Sequence, residues 1–159
     1  MKKTLMVYYS RTWITKKIVE VMHNIVDFDV EELVDTKKRS GAIWYLLAGK
    51  EATLQKCTKI APIKYNPAEY DRIIIWTPVW AFTMASAVRT YIVDNQKYFP
   101  PTIAFFCTEW WSGHERTFRH MAQLSQKTPV IVQEFLSKEV VSGTYQEKIA
   151  TFTKTISLS

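Results

Sequence analysis

The sequence predicts an α/β fold in which a doubly wound, five-stranded parallel sheet lies between two layers of helices, in one domain over residues 1–159. Five β-branched or apolar segments alternate with segments whose apolar residues recur at helical spacing. The third and fourth strand segments are continuous apolar runs, as in strands that are buried on both faces. With 159 residues and a hydrophobic fraction of 47%, the chain is long enough to bury one sizeable core.

The strand predictions come from runs of apolar residues bounded by turn formers. Pro62 and Pro67 precede the third run, and Pro100 and Pro101 precede the fourth. The predicted strands cover residues 3–9, 28–34, 72–76, 102–107 and 130–135.

Each strand is followed by a segment with helical periodicity, which implies right-handed crossovers and a parallel sheet. In such sheets, ligands bind beyond the carboxyl ends of the strands. The apolar positions that define the helices are Ile18, Val19 and Met22; Trp44 and Leu47; Ala87, Val88 and Tyr91; Phe118, Met121 and Leu124; and Tyr145, Ile149, Phe152 and Ile156.

Composition and motifs exclude several function classes. No apolar run reaches the roughly 18 residues of a membrane span, so we expect a cytoplasmic protein with no membrane-spanning segment. The net charge is +6, but no nucleic-acid-binding motif accompanies it, so we expect no nucleic-acid partner.

Cys57 and Cys107 lack metal-ligand spacing and are expected to be reduced thiols, and no metal site is predicted. The motifs of nucleotide-binding loops, zinc proteases and serine hydrolases are absent, and no catalytic residue is predicted.

The three loops that follow the first, third and fourth strands form the candidate ligand site, because these loops meet at one edge of the sheet. The first loop contains Ser10, Arg11, Thr12, Trp13, Ile14 and Thr15. The second loop contains Thr77, Pro78, Val79, Trp80, Ala81 and Phe82. The third loop contains Thr108, Glu109, Trp110, Trp111, Ser112 and Gly113.

These loops and the strands before them resemble the flavodoxin family over nearly the whole chain. The resemblance implies the strand order 2-1-3-4-5 and flavin mononucleotide (FMN) at the carboxyl edge. It also implies that the hydroxyls of Ser10, Thr12 and Thr15 hold the flavin phosphate at a helix N-terminus. In the same way it implies that Trp80 flanks the flavin ring and that Glu109 is a charge beside it.

The three loops depart from the family where glycine is usual. Trp13 and Phe82 stand at such positions, and Trp110 and Trp111 replace part of a glycine-rich turn. Trp76 ends the predicted third strand, at a place before the second loop where a glycine is expected in the family, although it can simply pack in the core. The chain has 4 glycines, whereas average usage gives roughly eleven. We therefore predict a weakened or altered FMN site.

Three functions remain open at this point. The first is an FMN-dependent electron carrier with a redox partner protein, an electron-transfer flavoprotein without acid/base residues. The second is a pseudo-flavodoxin whose cleft is filled by its own Trp and Phe rings and which acts as a protein-binding or regulatory module. The third is a binding protein for another flat ligand, such as a tetrapyrrole or a quinone. The oligomeric state is not predicted.

Overall fold

The computed structural model describes residues 2–36 and 56–158. The predicted helix through Trp44 and Leu47 lies outside the described residues. The described strands are β1 (Thr4–Tyr8), β2 (Asp29–Glu32), β3 (Arg72–Trp80), β4 (Thr83–Met84), β5 (Thr102–Glu109) and β6 (Ile131–Leu136). The described α-helices are α1 (Trp13–His23), α2 (Ser86–Asn95), α3 (His114–Ser125), α4 (Ser137–Ser142) and α5 (Gln146–Leu158).

The main sheet is parallel and runs in the order β2-β1-β3-β5-β6. This order confirms the predicted 2-1-3-4-5, because β5 and β6 are the predicted fourth and fifth strands. In the register, Leu5 pairs with Ile73, and Ile73 pairs with Ile103. The sheet therefore carries one layer of side chains straight across its central strands.

Helices cover both faces of the sheet, which explains the continuous apolar strands. Successive strand residues point to opposite faces. Ile73 and Ile75 pack in a core with α2 and α3, whereas Ile74 packs in a second core with α1 and α5. All three isoleucines are 0% exposed. Trp76 belongs to the second core, where it stacks on Phe135 with ring centroids 5.1 Å apart. Its role is core packing.

Several element boundaries differ from the sequence prediction. The strand β3 continues to Trp80, past Pro78, and a two-residue strand, β4, folds back on it antiparallel. A proline in the sequence predicts the end of a strand, because it has no N–H to donate to the neighbouring strand. Pro78 nevertheless lies opposite Thr108 in the β3–β5 ladder. The strand β5 runs on to Glu109, and the short helix α4 was not predicted.

Two classes of feature are absent from residues 2–36 and 56–158. No helix there combines the length and the apolar character that crossing a bilayer takes. No group of three or more His, Cys, Asp or Glu side chains there is arranged to hold a metal ion.

Candidate functional site

A cavity of about 320 Å³ opens at the carboxyl ends of β1, β3 and β5. Its volume lies at the lower end of the roughly 300–1,000 Å³ typical of small-molecule sites. All but one of the residues that line it belong to the three predicted loops. The lining residues are Arg11, Thr12, Ile14, Thr15, Pro78, Val79, Trp80, Thr108, Trp110 and Ser137.

The first loop ends in a helix N-terminus that suits an anion. Thr12 is the N-cap residue of α1, and its side chain makes no capping hydrogen bond. The first N–H groups of a helix have no acceptor within the helix, and the helix dipole makes this end positive. No acidic residue lies in the first turn, and Arg11 adds a cationic side chain to the cavity wall.

Trp13 does not need the conformational freedom of glycine. Among the described residues, the non-glycine residues with positive φ are Ala81, Phe82 and Gln126, so Trp13 has an ordinary backbone at the start of α1. Its ring is 54% exposed, and Lys17 Nζ lies 5.3 Å from the ring centroid. The tryptophan therefore keeps its backbone N–H at the helix terminus while its ring turns away from the cavity.

The predicted phosphate hydroxyls have different surroundings. The Ser10 hydroxyl donates a hydrogen bond to the carbonyl of Thr12, and Ser10 does not line the cavity. Thr15 Oγ1 lies 2.7 Å from Thr108 Oγ1, and both side chains are buried. One hydroxyl in this pair donates to the other, so the accepting hydroxyl keeps its own proton for a second partner. The Ser10 side chain thus stabilises the turn through a local hydrogen bond, and the Thr15 side chain joins the first loop to the third.

The second loop is a tight hairpin with a demanding backbone. Trp80 pairs with Thr83, and the two residues between them, Ala81 and Phe82, have φ of 47° and 61°. A two-residue turn with two positive φ values normally contains Asn-Gly, and the left-handed conformation costs other residues roughly 1–2 kcal/mol each. The Thr77 hydroxyl accepts from the Ala85 N–H at 3.0 Å, which ties the hairpin to the start of α2.

Gly113 allows the third loop to pack against this hairpin. Its φ is 120°, and an added Cβ would lie 2.7 Å from Val79 Cγ1 and 3.2 Å from Phe82 Cα. Neither the conformation nor the space is open to another residue. Gly113 therefore positions Val79, which lines the cavity, without lining the cavity itself.

Glu109 does not face the cavity, contrary to the role implied by the family resemblance. Its carboxylate is buried and accepts hydrogen bonds from the His114 N–H at 3.0 Å and from His114 Nδ1 at 2.6 Å. The carboxylate thus sits at the N-terminus of α3, where the helix dipole stabilises negative charge. Its backbone carbonyl accepts from Ser137 Oγ at 3.0 Å.

The aromatic side chains leave the cavity open. Phe82 is 53% exposed, Trp110 63% and Trp111 81%. Of the rings at glycine positions within the three loops, that of Trp110 lines the cavity, whereas those of Trp13, Phe82 and Trp111 do not. Trp80 is half-buried and meets Tyr9 edge-on, with centroids 5.6 Å apart. The exposed positions of these rings therefore do not support the hypothesis that aromatic side chains fill the cleft.

Solved structures show the same architecture. The chain aligns with an FMN complex of a flavoprotein from Lactobacillus acidophilus NCFM at a TM-score of 0.74 and 24% identity, over 89% of this chain and 98% of that one. The fold is flavodoxin-like. The apo form of the flavoprotein from the same organism aligns at 0.59 and 23% identity, over 84% and 91% of the two chains. A two-electron reduced flavodoxin from Megasphaera elsdenii aligns at 0.50 and 13% identity, over 82% and 84%. No family model and no curated protein matches the chain.

The flavodoxin-like fold places half of the predicted site residues, nine of eighteen, in the cavity wall. Nine of the ten cavity-lining residues come from the three predicted loops. The other nine predicted residues belong to the same loops but do not line the cavity: Ser10, Trp13, Thr77, Ala81, Phe82, Glu109, Trp111, Ser112 and Gly113. Ser137 was missed by sequence reasoning. It directly follows β6, and the carboxyl end of that strand at the same edge was the signal that could have found it.

Proposed function

We propose that the protein binds FMN in this cavity and acts as an electron carrier. The observation that carries the proposal is the cavity itself, which has an uncapped helix N-terminus on one side and indole rings on the other. The flavoprotein from Lactobacillus acidophilus that shares the fold was solved with FMN. The residues present in this chain fit the two ends of that ligand.

The phosphate end of FMN fits the first loop. The first N–H groups of α1 would donate to the phosphate, and Arg11 in the cavity wall would add a charge-assisted hydrogen bond. The lining residues include this one cation and no carboxylate. A dianionic phosphate is therefore attracted without an opposing charge in the wall, and the Thr12 hydroxyl adds a further donor or acceptor.

The ring end of FMN fits the second and third loops. Pro78, Val79, Trp80 and Trp110 supply an apolar wall. Stacked or edge-on aromatic contacts contribute about 0.5–1.5 kcal/mol beyond the burial of their area. A wall of this kind excludes water from a flat ring and holds it in place.

The composition of the wall favours electron transfer over acid/base catalysis. The lining residues include no His, Asp, Glu, Cys, Lys or Tyr, so no side chain there exchanges a proton with a substrate near neutral pH. FMN, when bound, supplies the redox chemistry, and the chain binds it, orients it and shields it. A redox partner protein would approach over the exposed rings of Phe82, Trp110 and Trp111.

The proposal is tested by titrating the purified protein with FMN and with riboflavin, following flavin fluorescence. We expect FMN to bind more tightly than riboflavin, because riboflavin lacks the phosphate. Arg11→Gln should weaken FMN binding about 10-fold or more, since a hydrogen bond to a charged group contributes about 1.5–3 kcal/mol. The same variant should leave riboflavin binding unchanged.

Lys16→Gln is the matched control, because it removes an exposed positive charge from α1, the helix that Arg11 precedes, without changing the cavity wall; Lys16 Nζ lies 3.9 Å from a carboxylate oxygen of Glu32. It should leave both affinities unchanged. Trp110→Ala should weaken both ligands equally, because the ring contacts the shared flavin. A protein that binds neither ligand contradicts the proposal, and equal loss of FMN binding in the Arg11 and Lys16 variants contradicts the phosphate assignment.

The affinity for FMN is expected to be lower than is usual for the flavodoxin family. The cavity is small, and the hairpin that forms part of its wall has two residues in a costly conformation. A tight complex in the same titration would contradict this expectation.

A further inference from the structure

Arg89 is a buried cation without a carboxylate partner in the described part of the chain. The side chain is on α2, the residue is 4% exposed, and its Nε is buried with no hydrogen-bond partner. Its Nη2 donates to Thr83 Oγ1 at 3.3 Å. The ion pairs formed within residues 2–36 and 56–158 do not include Arg89. Burying an unpaired charge costs several kcal/mol, so this arrangement calls for an anion.

The first turn of α2 adds to the positive character of this place. Ser86 lies three residues before Arg89 and therefore on the same side of the helix. It is 1% exposed, and its Oγ also lacks a partner. The N-cap residue Ala85 has no capping side chain, and no acidic residue lies in the first turn. Two buried polar atoms without a hydrogen-bond partner, Arg89 Nε and Ser86 Oγ, thus lie at one positive helix end.

The neighbouring helix α3 contributes His120 to this cluster and carries Arg116 and Arg119 near it. Thr83 Oγ1 lies 3.1 Å from His120 Nδ1, so one hydroxyl bridges Arg89 and the histidine. Burial lowers the pKa of His120, and the charges of Arg116, Arg89 and Arg119 lower that pKa further. Arg116 and Arg119 are exposed and His120 is half-buried, so this side of the cluster is open to solvent.

We propose that Arg89, Ser86, Thr83 and His120 form a binding site for a phosphate group, either free or carried by a nucleotide. Arginine, hydroxyls and a helix N-terminus are the groups that bind phosphate oxygens, and the bound dianion neutralises the buried guanidinium.

This phosphate site is separate from the FMN cavity. The helices α2 and α3 pack on one face of the sheet, whereas the cavity includes the first turn of α1 on the other face. The proposal therefore does not depend on FMN binding. The two sites come nearest in sequence at the hairpin, because Thr83 pairs with Trp80, which lines the cavity.

The imidazole of His120 is the reporter for the experiment, because it distinguishes this site from any anion bound at α1. The pKa of His120 is measured by NMR with inorganic phosphate and with sodium chloride at equal ionic strength. We expect phosphate to raise that pKa by about 1 relative to chloride, because a nearby anion stabilises the protonated ring. Equal values in phosphate and chloride would overturn the proposal.

Two variants locate the site. Arg89→Gln should abolish the phosphate effect on His120. Because this change is in the core, Arg116→Gln on the exposed side provides a second test that leaves the core intact, and it should weaken phosphate binding several-fold. Lys97→Gln is the matched control, since it removes an exposed positive charge just beyond the other end of α2. An unchanged phosphate effect in both arginine variants would also overturn the proposal.

A parallel titration with ADP distinguishes the two sources of the phosphate group. Binding of ADP at least tenfold tighter than inorganic phosphate, with the same dependence on Arg89, supports a nucleotide ligand. Equal affinities support free phosphate.

Discussion

Trp13 and Phe82 both stand where the flavodoxin family usually has glycine, yet the two residues differ in backbone conformation. Trp13 is the first residue of α1 and has no positive φ. Phe82 has φ of 61° in a turn whose other central residue, Ala81, has φ of 47°. Both rings are more than half exposed. The loss of a glycine is therefore harmless at a helix start and costly in a hairpin turn.

The difference shows that a position where relatives have glycine can impose either of two structural requirements. At a helix N-terminus, a residue donates its N–H with ordinary helical dihedrals, so the side chain only has to turn outward. In a two-residue hairpin, the chain must enter the left-handed region whatever the side chain is. Sequence alone does not tell these cases apart, because both appear as glycine replaced by an aromatic residue.

The largest expected effect comes from the glycine that the third loop keeps. Gly113→Ala should lower the free energy of unfolding by about 2–3 kcal/mol, because it combines left-handed strain with a Cβ placed 2.7 Å from Val79 Cγ1. Thermal unfolding should show a fall in Tm of roughly 5–10 °C for a domain of this size.

Gly143→Ala is the control for Gly113. This glycine also has positive φ, 79°, but an added Cβ would meet nothing within 4 Å. We expect a loss of about 1 kcal/mol from backbone strain alone. If the two variants lose equal stability, the close approach between the third loop and the hairpin has no energetic weight.

An intermediate effect of opposite sign is expected in the hairpin. The double change Ala81→Asn, Phe82→Gly installs the sequence that this turn prefers and should raise the free energy of unfolding by about 1 kcal/mol. The gain should appear in urea unfolding as a higher midpoint with an unchanged slope. A lower midpoint would show that the turn is not strained and would remove the contrast with Trp13.

The smallest effect is expected at Trp13. Trp13→Gly should cost no more than about 0.5 kcal/mol, because glycine lowers helix propensity and the exposed ring contributes little burial. It should not tighten FMN binding, since the indole does not line the cavity. A clear gain in FMN affinity, measured by fluorescence titration, would mean that the ring obstructs the site after all.

Most of the fold was predictable because its strands are buried on both faces. A run of apolar residues such as Ile73, Ile74 and Ile75 indicates a strand in a sheet that has helices on both faces. The alternation of strands with helices then restricts the topology. The elements that were missed are short or interrupted. The strand β4 has two residues and α4 has six. Pro78 concealed the extension of β3, because the ladder continues past a residue that cannot donate.

The candidate site was predictable as a set of positions but not as a set of orientations. Thr12, Thr15, Trp80 and Trp110 line the cavity as expected from the ends of their strands. The direction of the Glu109 side chain depends on His114, a tertiary contact that leaves no local pattern. The inclusion of Ser137 likewise depends on where β6 ends.

The hydroxyl pair of Thr15 and Thr108 has a consequence for how a ligand would be received. Its 2.7 Å contact joins two loops that are 93 residues apart in the chain. Folding has thus already fixed the first and third loops relative to each other, and an arriving ligand loses less affinity to the ordering of loops than it would on separate, mobile segments.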